Sequence, residues 1–174
     1  MVMPTVTDPA GNWKKYRTDT FGNVAQVMEP NPQYGQTDSN ATNFVTSYSY
    51  DLRNHLTQVT MPRPYGAGSY SQVRTFNYDL GSGRLMSQTQ PENGTTSFTY
   101  YPSGRLASKV DAKGQETQYS YDVYGRLKYV DRYPGAAASS TLNLCQSLQM
   151  VWDGNTSNGI GRLSSVIWGG SSCP

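Results

Sequence analysis

The sequence predicts an all-β protein, an antiparallel meander of short β-hairpins that follow one another along the chain. Three observations predict it: a motif that recurs at a fixed spacing, strand-like alternation around that motif, and an unusual composition. The 174 residues include 14 Tyr but only four Phe, and hydrophobic residues make up 36% of the chain. Such a chain cannot build a thick aliphatic core, but Tyr and Thr can cover thin pleated sheets. Aromatic residues at regular positions also argue against disorder.

The repeat is clearest at a Gly-Arg-Leu triplet, which occurs at residues 83–85, 104–106 and 125–127, in steps of 21 residues. A Tyr-Asp pair precedes the first and third triplets, and Tyr100-Tyr101 stands in its place before the second. Internal repeats decide architecture, because each unit buries its apolar face only by stacking on its neighbours.

Three weaker copies flank these. The copy at Tyr50-Asp51 has Asn54 where the Gly belongs, and Asn is the usual substitute where the backbone needs a positive φ. The first copy, 18–24, loses the Tyr, and the last leads from Trp152-Asp153 through a longer turn to Gly161. We therefore predict one array over 1–174, with copies near 11–30, 44–62, 73–91, 92–114, 115–133 and 148–168, and loop insertions near 31–43, 62–69 and 134–142.

Each copy is predicted as strand, tight turn and strand. Aromatic residues and Thr alternate with small polar residues before the turn, which is the period-two pattern of a half-buried strand. The Asp accepts hydrogen bonds from backbone amides further along the turn, and the Gly adopts a φ closed to most residues. The residues predicted to build these turns are Tyr50, Asp51, Tyr78, Asp79, Gly83, Arg84, Leu85, Tyr100, Gly104, Arg105, Leu106, Tyr121, Asp122, Gly125, Arg126, Leu127, Trp152, Asp153, Gly161, Arg162 and Leu163.

Two further segments need an assignment. Hairpin signals between the copies lie at Asn93-Gly94 and at Asp111 to Gly114. The segment 136–150 has mild helical character through its Leu and Met residues, and we predict a loop followed by a strand there.

The pattern Tyr-Asp-x-x-Gly-Arg-Leu at 21-residue steps resembles the YD repeat of the RHS/YD-repeat family, which includes RHS polymorphic toxins, the C component of Tc toxins, wall-associated proteins and teneurins. The resemblance covers residues 11–168. It implies a β ribbon that spirals into a shell, which in the toxins encloses a C-terminal polypeptide.

This chain departs from that family in two ways. The family's self-cleaving Asp-Pro-x-Gly-Leu motif is absent, since the only Asp-Pro, Asp8-Pro9, continues as Ala10-Gly11. Six copies are also too few to close a large shell, so we expect a fragment of one or a unit that stacks with other copies.

Residues for catalysis are sparse. His55 is the only histidine and occupies the Arg position of its copy, so we interpret it as a turn residue, and no Gly-x-Ser-x-Gly elbow accompanies it. The single Asp of each turn is assigned to the turn itself, whereas a calcium loop supplies several oxygen ligands. No Gly-rich loop is followed by Lys-Ser or Lys-Thr, as a phosphate cradle requires. We therefore predict no enzyme, no cofactor and no metal site.

The charge pattern narrows the partners. A net charge of +2 with scattered Lys and Arg argues against nucleic acid. No apolar run reaches the eighteen or so residues of a membrane span, and the N-terminus lacks the pattern of a signal peptide. Cys145 and Cys173 are candidates for one disulfide in an oxidising compartment. Asn40, Asn93 and Asn155 begin glycosylation sequons in predicted loops.

The leading hypothesis is a non-catalytic structural segment of a secreted or cell-surface RHS/YD-repeat protein, bacterial and extracellular, that forms the wall of a β-shell or stalk. The alternative is a self-assembling subunit of an extracellular filament, because an open meander leaves unpaired strand edges. The second alternative is a carbohydrate-binding adhesion module, because Tyr and Trp rings stack on sugars. Expected partners are further repeats of the same protein or other copies of the chain, then an encapsulated polypeptide or surface glycans.

Overall fold

Thirteen β-strands make up the regular structure of the chain. The computed structural model describes residues 3–31, 44–65, 68–154, 159–169 and 173. The strands are β1 (Thr5–Thr7), β2 (Trp13–Thr18), β3 (Val24–Glu29), β4 (Phe44–Tyr50), β5 (Leu56–Tyr65), β6 (Gly68–Tyr78), β7 (Leu85–Gln90), β8 (Gly94–Tyr100), β9 (Leu106–Val110), β10 (Glu116–Tyr121), β11 (Leu127–Tyr133), β12 (Leu148–Trp152) and β13 (Leu163–Trp168). Within those ranges there is no helix that could cross a membrane.

The chain divides into two compact units, Met1–Glu92 with β1 to β7 and Asn93–Pro174 with β8 to β13. Inside each unit every strand forms an antiparallel ladder with the next strand along the chain. The predicted all-β antiparallel meander is therefore confirmed.

The core is thin. Trp13, Val59 and Val130 are the buried hydrophobic residues of the described ranges, at 7%, 8% and 6% exposure. Most other strand residues are half-buried, and no described side chain is fully enclosed. The backbone ladders and half-buried side chains hold the strands together, as the composition leads us to expect.

A β-bulge recurs at one position of all six copies. The register shifts just before the residue that enters the turn, so that this residue pairs with the one after the Gly-Arg position. The pairs are Thr18 with Val24, Tyr50 with Leu56, Tyr78 with Leu85, Tyr100 with Leu106, Tyr121 with Leu127, and Trp152 with Leu163. A turn that ends on a positive-φ residue produces such a bulge, and the bulge sets the phase of each hairpin.

The prediction of a loop at 62–69 is wrong for most of its length. β5 continues to Tyr65 and β6 begins at Gly68. The two strands pair with each other as far as Tyr65 and Gly68. Pro62 and Pro64 both lack a backbone N–H group. Because they are two residues apart, the two missing donors lie on the same side of β5. A strand tolerates proline where that side faces away from a ladder, so this spacing leaves the ladder with β6 intact.

The other two predicted insertions have different outcomes. Of residues 31–43, only Asn31 lies within the described residues. After Tyr133 the chain is non-regular until β12 begins at Leu148, so this loop is longer than 134–142. The segment 136–150 is thus a loop followed by a strand.

Candidate functional site: the repeat turns

Most of the sequence-predicted residues lie in or beside the six turns of the copies, here called the repeat turns. Alternate connections of a meander lie at the same end of the strands. The three repeat turns of each unit therefore lie at one end of its strands. They are 19–23, 51–55 and 79–84 in the first unit, and 101–105, 122–126 and 153–162 in the second.

The turn at 122–126 shows the local chemistry. The Asp122 amide donates to the Arg126 carbonyl at 2.9 Å, and the Gly125 amide donates to the Asp122 carbonyl at 2.9 Å. The carboxylate Oδ1 of Asp122 accepts from the amides of Tyr124 and Arg126, both at 2.9 Å. Gly125 has a φ of 79°. Asp122 and Gly125 therefore have different roles in one tight turn: the Asp accepts the amide hydrogen bonds, and the Gly adopts the positive φ.

The other turns reproduce this pattern with changes. Asp19 and Asp51 accept the same pair of amide hydrogen bonds, and Asn54 stands in the Gly position with a φ of 64°. Asp79 instead accepts from the amide and hydroxyl of Ser82, because this turn has an extra residue. Tyr101 occupies the Asp position of its turn, which keeps only the backbone hydrogen bonds.

Two turns other than the six repeat turns have the same geometry. Asp8 and Asp111 each accept hydrogen bonds from the amides two and four residues on. Both are followed by a positive-φ glycine three residues later, Gly11 and Gly114. The Asp-x-x-Gly signal at Asp111 to Gly114 is the hairpin turn predicted from the sequence, whereas the same signal at Asp8 to Gly11 was not predicted as a turn. Proline is well suited to the second position of this turn type.

Hydrogen bonding governs the ionisation of the turn carboxylates. The amide of His55 is the largest influence on Asp51 and lowers its pKa, and the amide of Ser82 does the same for Asp79. Partial burial opposes the shift at Asp19 and Asp122, yet their hydrogen bonds still hold each pKa below the usual range. These carboxylates are ionised acceptors, because every strong partner favours the charged form.

In three of the repeat turns the aromatic residue before the Asp connects neighbouring copies, a role that the sequence did not predict. The hydroxyl of Tyr50 donates to the Val24 carbonyl at 3.0 Å, 26 residues back along the chain. In the second unit the Tyr121 hydroxyl donates to the Leu106 carbonyl at 3.1 Å. The indole N–H of Trp152 donates to the Leu127 carbonyl at 2.8 Å. In each case the acceptor is the first strand residue after the preceding turn.

The residue after the positive-φ position also reaches the next copy. His55 stacks on Tyr78 with ring centroids 4.7 Å apart. The Arg105 guanidinium lies 5.6 Å from the centre of the Tyr121 ring, and that of Arg126 lies 5.0 Å from the Trp152 ring. Arg126 also donates to both carboxylate oxygens of Asp153 at 2.9 and 2.7 Å, which lowers the pKa of Asp153 to about 2.

His55 has structural neighbours only. Its Nδ1 lies 2.9 Å from Oδ2 of Asp51 within the same turn, and its ring covers Tyr78. Among the described residues there is no group of three or more His, Cys, Asp or Glu that could hold a metal ion. The histidine is therefore part of the connection between two copies.

The remaining predicted residues lie apart from the repeat turns. Cys145, in the loop before β12, and Cys173, after β13, form a disulfide in the structure. Asn93 is exposed in the turn between β7 and β8, where a glycan would have room. Asn40 and Asn155 lie outside the described residues.

Comparison with known proteins identifies the repeat. The family model of the RHS repeat matches residues 100–135, from the end of β8 to just beyond β11. This chain contains an RHS repeat. The predicted resemblance to the RHS/YD-repeat family is confirmed over these residues, and the match includes two of the repeat turns described above. No curated protein matches the sequence significantly.

Solved structures similar to this RHS-repeat chain come from Tc toxins. The Photorhabdus luminescens Tc holotoxin pore with a TccC3 mutation is 14% identical with a TM-score of 0.43, covering 89% of this chain and 10% of that one. TcdB2–TccC3 without its hypervariable C-terminal region is 15% identical with a TM-score of 0.44, covering 91% and 10%. The RHS-repeat chain thus spans about a tenth of the length of each.

Proposed function

We propose that this chain is a non-catalytic segment of the wall of a β-shell or stalk in a secreted or cell-surface RHS/YD-repeat protein. The observation that carries the proposal is the use of the motif side chains. Each turn carboxylate holds its own turn, and the aromatic and basic residues hold the neighbouring copy. Residues that are conspicuous in the sequence therefore serve to stack copies.

Two further observations support this role. His55 and Asp51, the residues most suited to acid–base work, contact each other inside a turn rather than facing a cleft. The disulfide between Cys145 and Cys173 suits an oxidising compartment, such as the exterior of a cell.

The adhesion alternative has one specific feature in its favour. An open groove of about 390 Å³ lies between the turns 101–105 and 122–126, and its lining includes Tyr101, Arg105 and Tyr121. Tyr101 is 40% exposed, so its ring offers an apolar face to a sugar. The same tyrosine also donates to the Tyr119 carbonyl at 3.0 Å, which gives it a structural use.

The proposal is tested by the solution behaviour of the purified chain. We expect a single small species by size-exclusion chromatography with light scattering, no regular fibres by electron microscopy, and no binding on a glycan array. Long regular fibres would replace the wall by the filament alternative. Binding to one glycan class that is lost in Tyr101→Ala, but kept in the control Tyr124→Ala on the exposed part of the next turn, would replace it by the adhesion module.

A further inference from the structure

A polar cleft of about 240 Å³ lies in the second unit, at the end of β9, β10 and β11 that is opposite to the repeat turns. The strands line it with Lys109, Thr117 and Arg132, and the loop 134–147 between β11 and β12 lines it with Asn143 and Gln146. This loop interrupts the 21-residue spacing of the copies. The cleft therefore belongs to an insertion of this chain and not to the repeat itself.

The loop that walls the cleft is fixed to the strands at several points. The amide of Ala137 donates to Oε2 of Glu116 at 2.7 Å, and the amide of Asn143 donates to the Arg132 carbonyl at 2.8 Å. The Arg132 amide in turn donates to the Ser147 hydroxyl at 3.1 Å. Main-chain amides and carbonyls make most of these contacts, so the cleft has a defined wall while the Arg132 and Asn143 side chains stay free to contact a ligand.

Two cationic side chains flank Thr117 in this cleft. Thr117 pairs with Lys109 across one ladder and with Arg132 across the other, and directly opposite residues project from the same face of a sheet. Strand spacing places the Cα atoms of Lys109 and Arg132 roughly 10 Å apart, which two long side chains can span from either side. Within the described residues, neither the Lys109 ammonium nor the Arg132 guanidinium forms an ion pair or a hydrogen bond.

The carboxylates at the cleft, by contrast, are engaged by the fold. Oδ1 of Asp111 accepts from the amides of Lys113 and Gln115, both at 2.9 Å. Glu116 accepts through both of its carboxylate oxygens, from the Gln118 side chain at 3.0 Å and from the loop. The charged groups of the cleft that keep their hydrogen-bonding capacity for a ligand are therefore the two cations.

The chemistry of these groups selects the ligand. A guanidinium binds the oxygens of a phosphate or carboxylate through two parallel hydrogen bonds, and an ammonium adds a compact charge. Two unpaired cations match the charge of a phosphate group, which is close to −2 near neutral pH. The Thr117 hydroxyl and the side-chain amides of Asn143 and Gln146 supply further donors around the same space.

We propose that the cleft between β9, β10, β11 and the loop 134–147 binds a dianionic phosphate group, either as free phosphate or as the monoester of a small polar molecule. Lys109 and Arg132 hold its oxygens from two sides, and Thr117 donates its hydroxyl between them. The loop amides contact the remaining oxygens or the esterified group. The inference goes beyond the wall function and does not depend on it, because a wall segment and an isolated module would both contain the cleft.

Nuclear magnetic resonance of the full chain, titrated with sodium phosphate at constant pH and ionic strength, tests the site. We expect saturable shifts of the backbone amides of Thr117, Arg132, Asn143 and Gln146, and no shifts at the repeat turns. Acetate should bind about tenfold more weakly, since a single negative charge leaves one cation without a charged hydrogen bond. Glycerol phosphate distinguishes the two sources: tighter binding than inorganic phosphate assigns the site to a monoester, and equal or weaker binding assigns it to the free ion.

Substitutions assign the binding to the named groups. Arg132→Gln and Lys109→Gln should each weaken phosphate binding about tenfold, because each removes a charged hydrogen bond, and Thr117→Val should weaken it about fivefold. Both cations are exposed, so their replacement should leave the melting temperature in phosphate-free buffer unchanged. The matched control is Lys128→Gln, which removes the same charge from an exposed position of β11 outside the cleft and should leave binding unchanged.

Three results would overturn the inference. The first is the absence of saturable shifts at the cleft. The second is equal weakening by Lys128→Gln and Arg132→Gln, which would reduce the binding to net charge. The third is acetate binding as tight as that of phosphate. Fibres or glycan binding, which count against the wall function, would not affect the phosphate site.

Discussion

Arg126 and Asp153 are 27 residues apart in the sequence, and the guanidinium of one donates two hydrogen bonds to the carboxylate of the other. Arg126 also donates through Nε to Asp122 in its own turn at 2.6 Å. One side chain therefore holds the repeat turn in which it lies and the turn of the following copy. This is the most direct view of how the second unit stacks its hairpins.

The first prediction concerns this pair. Arg126→Gln should lower the melting temperature by a few degrees, because it leaves Asp153 and Asp122 without their charged partner. Asp153→Asn should lower it less, and the double variant should cost less than the two single changes together. The control is Arg132→Gln, an exposed arginine in β11. Strictly additive changes would show that the ion pair contributes nothing to the stacking.

Acid should destabilise the second unit through the carboxylate of Asp153. Its folded pKa of about 2 lies below that of an unfolded aspartate. The stabilisation is therefore complete above about pH 4 and is lost as the pH falls towards the folded value. Urea denaturation at several pH values in that interval measures how steeply the free energy of unfolding changes with pH. Arg126→Gln should flatten this dependence, since it removes the main cause of the shift, and an unchanged slope in that variant would contradict the assignment.

Substitution of two glycines with nearly the same backbone conformation distinguishes the cost of backbone strain from the cost of side-chain crowding. Gly114 and Gly125 have φ values of 78° and 79°, yet only at Gly125 would an added Cβ meet the Arg105 guanidinium. We expect Gly114→Ala to cost about 1–2 kcal/mol from the left-handed conformation. Gly125→Ala should cost roughly 0.5–1 kcal/mol more, because Arg105 must leave the Tyr121 ring. Equal unfolding free energies would refute a structural contact of Arg105 at this turn.

The hydroxyl of Tyr121 offers a test of the connection between copies. Tyr121→Phe keeps the ring but leaves the Leu106 carbonyl without its donor, at a cost of about 1 kcal/mol. Tyr124, 77% exposed in the turn itself, is the matched control, and Tyr124→Phe should change little. Chemical denaturation of both variants measures the difference. An equal loss of unfolding free energy in both variants would show that the Tyr121 hydroxyl makes no specific contribution to the connection between copies.

Reduction of the disulfide is the fifth prediction. Cys145 and Cys173 are 28 residues apart, and closing a loop of that length stabilises a fold by about 3–4 kcal/mol in the chain-entropy model. A reductant should therefore lower the denaturation midpoint of the native chain. The double variant Cys145→Ser/Cys173→Ser should start at the lower midpoint and show no response to reductant. An identical midpoint for the oxidised and reduced native chain would mean that the bond carries no stability.

The limits of the sequence-based prediction are clearest at residues 62–69. Prolines usually signal a loop, but Pro62 and Pro64 lie in a ladder that reaches Tyr65. Whether proline breaks a strand depends on which side of that strand carries a partner, and no single-residue tendency contains that information. The hairpin turn at Asp111 to Gly114 was predicted from the sequence, whereas the turn of the same type at Asp8 to Gly11 was not, because it lies out of phase with the 21-residue step.

The sequence by itself determined the local structure: the phase of the copies, the hairpin turns, the positive φ at Gly125 and at Asn54, and the antiparallel meander. The turns and the positive φ values follow from groups that are at most five residues apart in every repeat turn but the last, so their chemistry is set by neighbours in the chain. Only the tertiary structure decided what the aromatic and basic residues contact. Tyr50 and Trp152 reach carbonyls 26 and 25 residues away. Contacts of that length exist only after the strands have paired, since pairing brings one copy's turn beside the next.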